Sequence, residues 1–201
     1  ETIKTLVLPA SIVSIGENCF ESALVENVDF SVCTELKTIG KQSFYMASLI
    51  SSINLSGLKK LELIDYQAFG SCASETEATT LDINLSGCSS LKKLGEYAFS
   101  NIKRPSPALS LNLNFEGCTS LTSIENRAFL NGKMTNVDLS ECTALETIST
   151  SVFQNTAGTI ATLTLPVNLK TIAAKAFNGQ KKFTSVTSLA VNPPTLAADG
   201  F

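Results

Sequence analysis

Histidine and tryptophan are absent from the 201 residues. Without histidine there is no Ser-His-Asp triad, no HExxH metal site and no His-ligated metal. Without tryptophan the usual ring for stacking on sugars is missing. Charged residues make up only 16 % of the chain, against about 25 % in an average globular protein. Fifteen basic and eighteen acidic side chains give a net charge of −3, and the pI is near 5.1. A nucleic-acid binder shows a basic stripe instead, so no nucleic-acid partner is expected. No apolar run approaches ~18 residues, so no membrane insertion by this segment is expected. No nucleophile elbow, glycine-rich phosphate loop or pair of carboxylates at a fixed depth appears, so neither an enzyme nor a cofactor or metal site is expected. The chain starts at Glu1 without a signal peptide, so the expectation is a mature or trimmed piece of a longer protein.

What the chain has is an internal repeat, and the repeat sets the whole reading. Phenylalanine recurs at Phe20, Phe44, Phe69, Phe99, Phe129, Phe153, Phe177 and Phe201, which accounts for eight of the eleven. The residue before it is usually small, as at Cys19, Ser43, Ala68, Ala98, Ala128 and Ala176. Five residues before it stands Ile or Leu, from Ile15 and Ile39 through to Ile148 and Ile172. Three residues earlier comes another, from Ile12 and Leu36 to Leu145 and Leu169. Upstream lies an alternating pair: Leu6-x-Leu8, Val28-x-Phe30, Ile53-x-Leu55, Ile83-x-Leu85, Leu113-x-Phe115, Val137-x-Leu139, Leu163-x-Leu165 and, as the eighth, Leu189-x-Val191. The unit reads LxxLxLSxCxxLxxIGxxAF and returns every 22 to 30 residues. A fixed internal order with variable total length is how a solenoid behaves, because each coil keeps its inward residues and tolerates extra ones in a turn.

The period-two LxL segments predict short strands. Because every coil returns to the same side, these strands must be parallel. LxxIG predicts a second extended stretch on the opposite wall. GEYAF and GKQSF are too short for an α-helix and predict a single helical or 3₁₀ turn. Eight strands at ~4.8 Å give a stack roughly 35 Å long. Five or six inward apolar groups stabilise a coil by on the order of 10 kcal/mol, while ordering its backbone costs ~25–50 kcal/mol. One coil alone therefore does not fold, and neighbours must supply the rest.

LxxLxLxxC followed by LxxIGxxAF resembles the BspA-like, or Treponema-type, leucine-rich repeats. ASIVSIGENCF, SSLKKLGEYAF, TSLTSIENRAF and the proline variants LPASIVSIG and LPVNLKTIA carry the match, over nearly the whole chain. The resemblance implies a leucine-rich-repeat solenoid: a right-handed superhelix with short parallel β-strands, little α-helix, and about seven full coils plus a partial eighth, as one array over residues 1–201. It further implies a secreted or surface-anchored bacterial adhesin that binds a host extracellular-matrix or cell-surface protein, or a glycan. The other expectation is a spacer that holds further domains away from the cell surface. The family brings no catalytic or fixed binding residues to carry over.

Four features remain to be weighed. Cys33, Cys88, Cys118 and Cys142 share one repeat position, where the third repeat has Leu58, and Cys19 replaces a small residue. Buried free thiols acting as small apolar fillers fit that frame; one disulfide or a metal site are the alternatives. The outward residue of each LxL pair gives the strip Asp29, Asn54, Asn84, Asn114 and Asp138. It reads as an Asn/Asp ladder hydrogen-bonded along the stack, or as a flat polar recognition surface. The sequons at Asn54 and Asn84, and the dipeptides Lys59-Lys60, Lys92-Lys93 and Lys181-Lys182, read as incidental and as solvated faces. Finally, two turns are longer than the rest, 16 residues from Phe69 to Leu85 and from Phe99 to Phe115. Their extra residues carry Glu75 and Glu77 on one and Lys103 and Arg104 on the other, next to Pro105 and Pro107. They read either as mutual salt bridges or as the binding edge, since insertions on one face are often the binding feature of repeat proteins. At the two ends, exposed repeat residues lead to the expectation of end-to-end self-association.

Overall fold

The computed structural model describes residues 1–102, 109–155 and 158–201. Sixteen short strands run along the described chain: β1 (Ile3–Val7), β2 (Ser14–Ile15), β3 (Val25–Asp29), β4 (Thr38–Ile39), β5 (Ile53–Asn54), β6 (Leu63–Ile64), β7 (Thr80–Asn84), β8 (Lys93–Leu94), β9 (Ser110–Asn114), β10 (Ser123–Ile124), β11 (Asn136–Asp138), β12 (Thr147–Ile148), β13 (Thr162–Leu165), β14 (Thr171–Ile172), β15 (Ser185–Ser188) and β16 (Thr195–Leu196). The odd-numbered strands hold the LxL segments and the even-numbered ones the LxxI segments. All pairings are parallel, as a coil that returns to its starting side demands. The even strands form one continuous ladder of eight, whereas the LxL wall is divided into β1-β3, β5-β7-β9 and β11-β13-β15. Pairing on the LxL wall is longest between the two coils with 16-residue turns, where five residues of β7 match five of β9.

A third wall replaces the expected helical turn. Around each repeat phenylalanine the chain makes consecutive β-turns, with no helix among the described residues. In the second coil Ser43, Tyr45 and Ala47 donate their amides three residues back, to Gly40, Gln42 and Phe44. The amides between them, of Gln42, Phe44 and Met46, donate to Tyr66, Ala68 and Gly70 of the next coil. That alternation needs a left-handed residue two before the phenylalanine. Asn18, Gln42, Gln67, Tyr97, Arg127, Ser151 and Lys175 all have φ between 50° and 59°. A 3₁₀ turn would aim every amide back along its own coil; the left-handed residues release half of them to tie the stack together.

The phenylalanines form a spine of stacked rings. Phe44, Phe69, Phe99, Phe129, Phe153 and Phe177 are buried, and neighbouring centroids lie 5.1–5.5 Å apart. This offset stacking adds to the burial of each ring. Around it the Leu and Ile rows fill one continuous core. Ser43, at the position where four other coils have alanine, has a buried hydroxyl without a hydrogen-bond partner.

The last coil differs from the expected register. Leu163 faces Val186 and Leu165 faces Ser188, so the eighth pair is Val186-x-Ser188 and not Leu189-x-Val191. Beyond the Pro193-Pro194 turn the second wall continues, with Thr195 and Leu196 paired to Thr171 and Ile172. Phe201 continues the ring stack on Phe177, at 5.0 Å, and is 46 % exposed.

Candidate functional site

The LxL face comes first, because its polar strip was a candidate. Asp29 Oδ1 accepts the backbone N–H of Ser31 at 2.9 Å, and Asn54, Asn84, Asn114 and Asp138 accept in the same way from Ser56, Ser86, Glu116 and Ser140. The strip therefore closes local Asx turns at the strand ends and is not the hydrogen-bonded ladder expected. This explains why Asn and Asp alternate there: only the shared side-chain oxygen is used. The Ser31 hydroxyl and amide hold the Asp29 carboxyl below the usual carboxylate range. Hydrogen bonds along the stack belong to the neighbouring row, as in Asn112 Nδ2 to Asp82 Oδ1 at 2.9 Å and Thr162 Oγ1 to Asn136 Oδ1 at 2.7 Å.

Beneath that face lie the thiols of Cys33, Cys88, Cys118 and Cys142, while Cys19 and Cys72 belong to the phenylalanine turns. All six cysteines are free; Cys19 is exposed and the others are buried. Cys88 donates to the Leu55 carbonyl at 3.1 Å and Cys118 to that of Leu85 at 3.2 Å. The cysteine position is thus a small filler with a weak donor aimed at a carbonyl of the preceding coil. Burial pushes Cys88 up to about 11 and Cys142 to about 12, and raises Cys72 and Cys118 further. Thiols held this far from ionisation are poor nucleophiles and poor metal ligands. Among the described residues no group of three or more Cys, Asp or Glu is placed to hold a metal ion.

The edge between each phenylalanine and the next LxL strand carries the long turns. Glu75 and Glu77 are exposed there. Glu75 is tied to the preceding coil, its amide donating to the Ser48 carbonyl at 2.8 Å and its carboxylate accepting from the Ser48 hydroxyl at 3.3 Å. Lys103 and Arg104 lie outside the described residues. Among the described residues the ion pairs lie elsewhere, between coils: Lys41–Glu17, Lys60–Glu35, Lys92–Glu62, Lys93–Glu125, Arg127–Glu96 and Lys170–Glu146, at 2.6–3.4 Å. All are solvent-exposed pairs, each worth little.

Two groupings escaped the sequence reading. On the third wall Tyr66 stands edge-on to Tyr97, with centroids 6.1 Å apart, and the Arg127 guanidinium covers the Tyr97 ring at 5.6 Å. On the turn edge of the later coils Lys133 meets Lys181 and Lys182 around an open groove. The signal for the second was available in principle, since register aligns Lys133 with Lys182. It was hidden by the 48 residues between them and by the shifted last coil.

With this geometry in place the family follows, because the model of the BspA-type leucine-rich-repeat region matches six copies over residues 1–104 and 110–191. The chain belongs to the BspA-type leucine-rich-repeat family. Among solved structures this BspA-type array is similar to the pneumococcal vaccine antigen PcpA, at 18 % identity over 93 % of this chain and 62 % of that one, with a TM-score of 0.38. It is also similar to a leucine-rich cell-surface protein of Faecalibacterium prausnitzii A2-165, at 17 % identity over 94 % of this chain and 64 % of that one, with a TM-score of 0.37. The chain thus spans under two thirds of each of those chains. No curated protein matches it.

Proposed function

We propose that this array is the non-catalytic binding module of a bacterial surface or secreted protein, and that it engages its partner along the edge between the phenylalanines and the LxL strands. The observation that carries this reading is the division of each coil into a constant and a variable part. The ring spine and the Leu and Ile rows repeat without interruption. The turn from phenylalanine to the next strand runs from 10 residues to 16 and differs in charge from coil to coil. A spacer needs only the constant part. Variation concentrated on one edge of a rigid stack, 10 to 16 residues there against 12 to 14 from LxL pair to phenylalanine in the first seven coils, is what a recognition surface requires.

The polar strip from Asp29 to Asp138 is the weaker candidate, since its oxygens already serve the Asx turns. Glu75, Glu77, Lys103 and Arg104 remain the residues proposed on the early part of the edge. The test is an array of glycans and extracellular-matrix proteins probed with three proteins. These are the wild-type chain, a variant with residues 72–80 and 100–110 shortened to the Phe129–Leu139 turn, and a variant with Asn54, Asn84 and Asn114 changed to Ser. The edge reading expects partners that persist with the Ser variant. Binding lost only in the Ser variant moves the site to the LxL face, and no partner in any arm supports the spacer.

A further inference from the structure

We propose that the open groove over the fifth to seventh coils, formed around Lys133, Lys181 and Lys182, binds a polysaccharide bearing sulfate or carboxylate groups. This rests on the reading of the array as a binding module and names its ligand class and the place it binds.

Register builds the groove. Asn136, Thr162 and Ser185 pair across β11, β13 and β15. Three residues upstream on each coil, Lys133, Thr159 and Lys182 therefore form one row. One residue upstream, Thr135, Ala161 and Thr184 form a second. The backbone bonds from Ala161 to the Thr135 carbonyl, at 2.7 Å, and from Thr184 to the Ala161 carbonyl, at 2.8 Å, fix that second row. Together with Lys181 and Phe183 these residues line a groove of about 670 Å³. Lys133 and Lys182 stand two coils apart, about 10 Å at ordinary strand spacing.

The charges in the groove are unopposed. No carboxylate lines it, and none of its three lysines joins an ion pair among the described residues, although six other cations do. In a chain of net charge −3 this is a local concentration of one sign, which favours an anion that bridges the coils. Lysines are flexible point charges, suited to anionic groups spaced along a polymer and not to one planar carboxylate held by a fork.

The remaining lining selects a sugar over a peptide or a nucleic acid. Thr159 Oγ1 accepts from the Met134 amide at 3.1 Å, which leaves its own O–H to donate. Thr184 Oγ1 donates to the Ala161 carbonyl at 3.1 Å, which leaves its lone pairs to accept. Adjacent coils thus offer a donor and an acceptor, the pair that sugar hydroxyls satisfy. The Ala161 and Thr184 amides are taken up within the stack, so over β11 and β13 an extended peptide finds no backbone to pair with; the free outer edge of β15 lies at the end of the sheet, beyond the lysine row. Phe183 is partly buried against the core, edge-on to Phe177 and Phe201 with centroids at 6.2 and 5.8 Å, so the groove offers one anchored ring and not the succession of platforms on which bases stack.

The test immobilises the full chain and measures binding of heparin, dextran sulfate, hyaluronan, neutral dextran and poly-glutamate. Two triple variants carry the same change of charge. One is Lys133→Gln with Lys181→Gln and Lys182→Gln; the other is Lys60→Gln with Lys92→Gln and Lys170→Gln, all three taken from ion pairs. The expected result is salt-sensitive binding of heparin and dextran sulfate, none of neutral dextran, and a loss of about tenfold or more only in the groove variant. Hyaluronan separates carboxylate from sulfate recognition. Equal losses in both variants, no polyanion binding by the wild type, or poly-glutamate bound as tightly as heparin would overturn the assignment. Melting curves of both variants guard against misfolding. Should the groove variant melt early, competition on the wild type decides, with dextran sulfate displacing heparin and neutral dextran failing to. A chain that captures a partner on the arrays yet binds no polyanion keeps the module reading and loses this one.

Discussion

Phe99→Ala tests the ring spine where it is most constrained. Phe99 is fully buried, and its ring lies 5.4 Å from Phe69 and 5.3 Å from Phe129, with interplanar angles of 3° and 5°. Truncating a buried phenylalanine costs about 3–5 kcal/mol, and the cost depends on how far the site collapses. Here collapse is blocked. The Phe99 amide donates to the Ala128 carbonyl and the Phe69 amide to the Ala98 carbonyl, both at 2.8 Å, so the backbones on either side hold their spacing. Two stacking contacts are lost as well, each worth about 0.5–1.5 kcal/mol beyond burial. The expected loss is therefore at the upper end, about 4–5 kcal/mol, about a quarter or more of a typical domain's stability of about 5–15 kcal/mol. Phe201→Ala is the control: that ring is 46 % exposed, stacks face-on on Phe177 alone and meets Phe183 edge-on. Its expected cost is about 1–2 kcal/mol. Urea unfolding followed by circular dichroism reads both. A loss below about 1 kcal/mol for Phe99→Ala, or equal losses for the two variants, would refute a continuous stacked spine. A lower m-value for Phe99→Ala is also expected, since a weakened middle coil uncouples the two halves of a nearest-neighbour stack.

Ser43→Ala removes a buried hydroxyl that has no partner and is expected to raise stability by about 1 kcal/mol; a destabilised variant in the same urea assay would contradict this. Asn54→Asp is expected to be nearly neutral and Asn54→Ala to cost about 1 kcal/mol, because the oxygen that accepts from Ser56 is what matters; equal losses for both would show that the amide is used instead. Native-state labelling is expected to modify Cys19 quickly and the five buried cysteines slowly, with six thiols found in denaturant; three disulfides would reverse the assignment. The same burial makes stability pH-dependent: unfolded thiols ionise from about pH 8.5 while Cys88 and Cys142 stay protonated to about 11 and 12, so stability is whole below about pH 8.5 and falls above it by about 1.4 kcal/mol per thiol per pH unit. A urea midpoint that stays flat up to about pH 10.5 would show that those thiols ionise in the native state.

The features legible in the sequence were those in which every coil repeats a residue type at one position. The Phe, Leu and Ile rows are of this kind, because each must fill the same space above its neighbour. The left-handed residues were not legible: Asn18, Gln42, Tyr97, Arg127 and Lys175 share a backbone conformation and no side-chain chemistry. Nothing in their composition reports that their amides bond to the next coil. The last coil was misaligned for a related reason. Apolar alternation marks a strand only while its face is covered, and Val186 is 46 % exposed. Leu189-x-Val191 therefore looked the better match, although Val186-x-Ser188 is the segment that pairs. The Asx strip was found as a row, but its bonding runs within each coil, a distinction that side-chain type alone does not carry.

The groove lysines follow from these two points together. Lys181-Lys182 looks like a solvated dipeptide, and Lys133 like a single surface charge, for as long as the coils are compared by residue type. Comparison by backbone register places Lys133 and Lys182 in one row, with Thr159 between them. The three walls of hydrogen bonds hold neighbouring coils at fixed spacing, so side chains in such a row stand at set intervals along the stack. Flexible lysines on a rigid lattice can follow anionic groups whose positions vary along a polymer, and the lattice still sets the direction in which that polymer must run. The predicted direction is along the stack axis across β11, β13 and β15. Binding should then strengthen from short to long heparin oligosaccharides until two coil spacings are covered, and change little beyond that length.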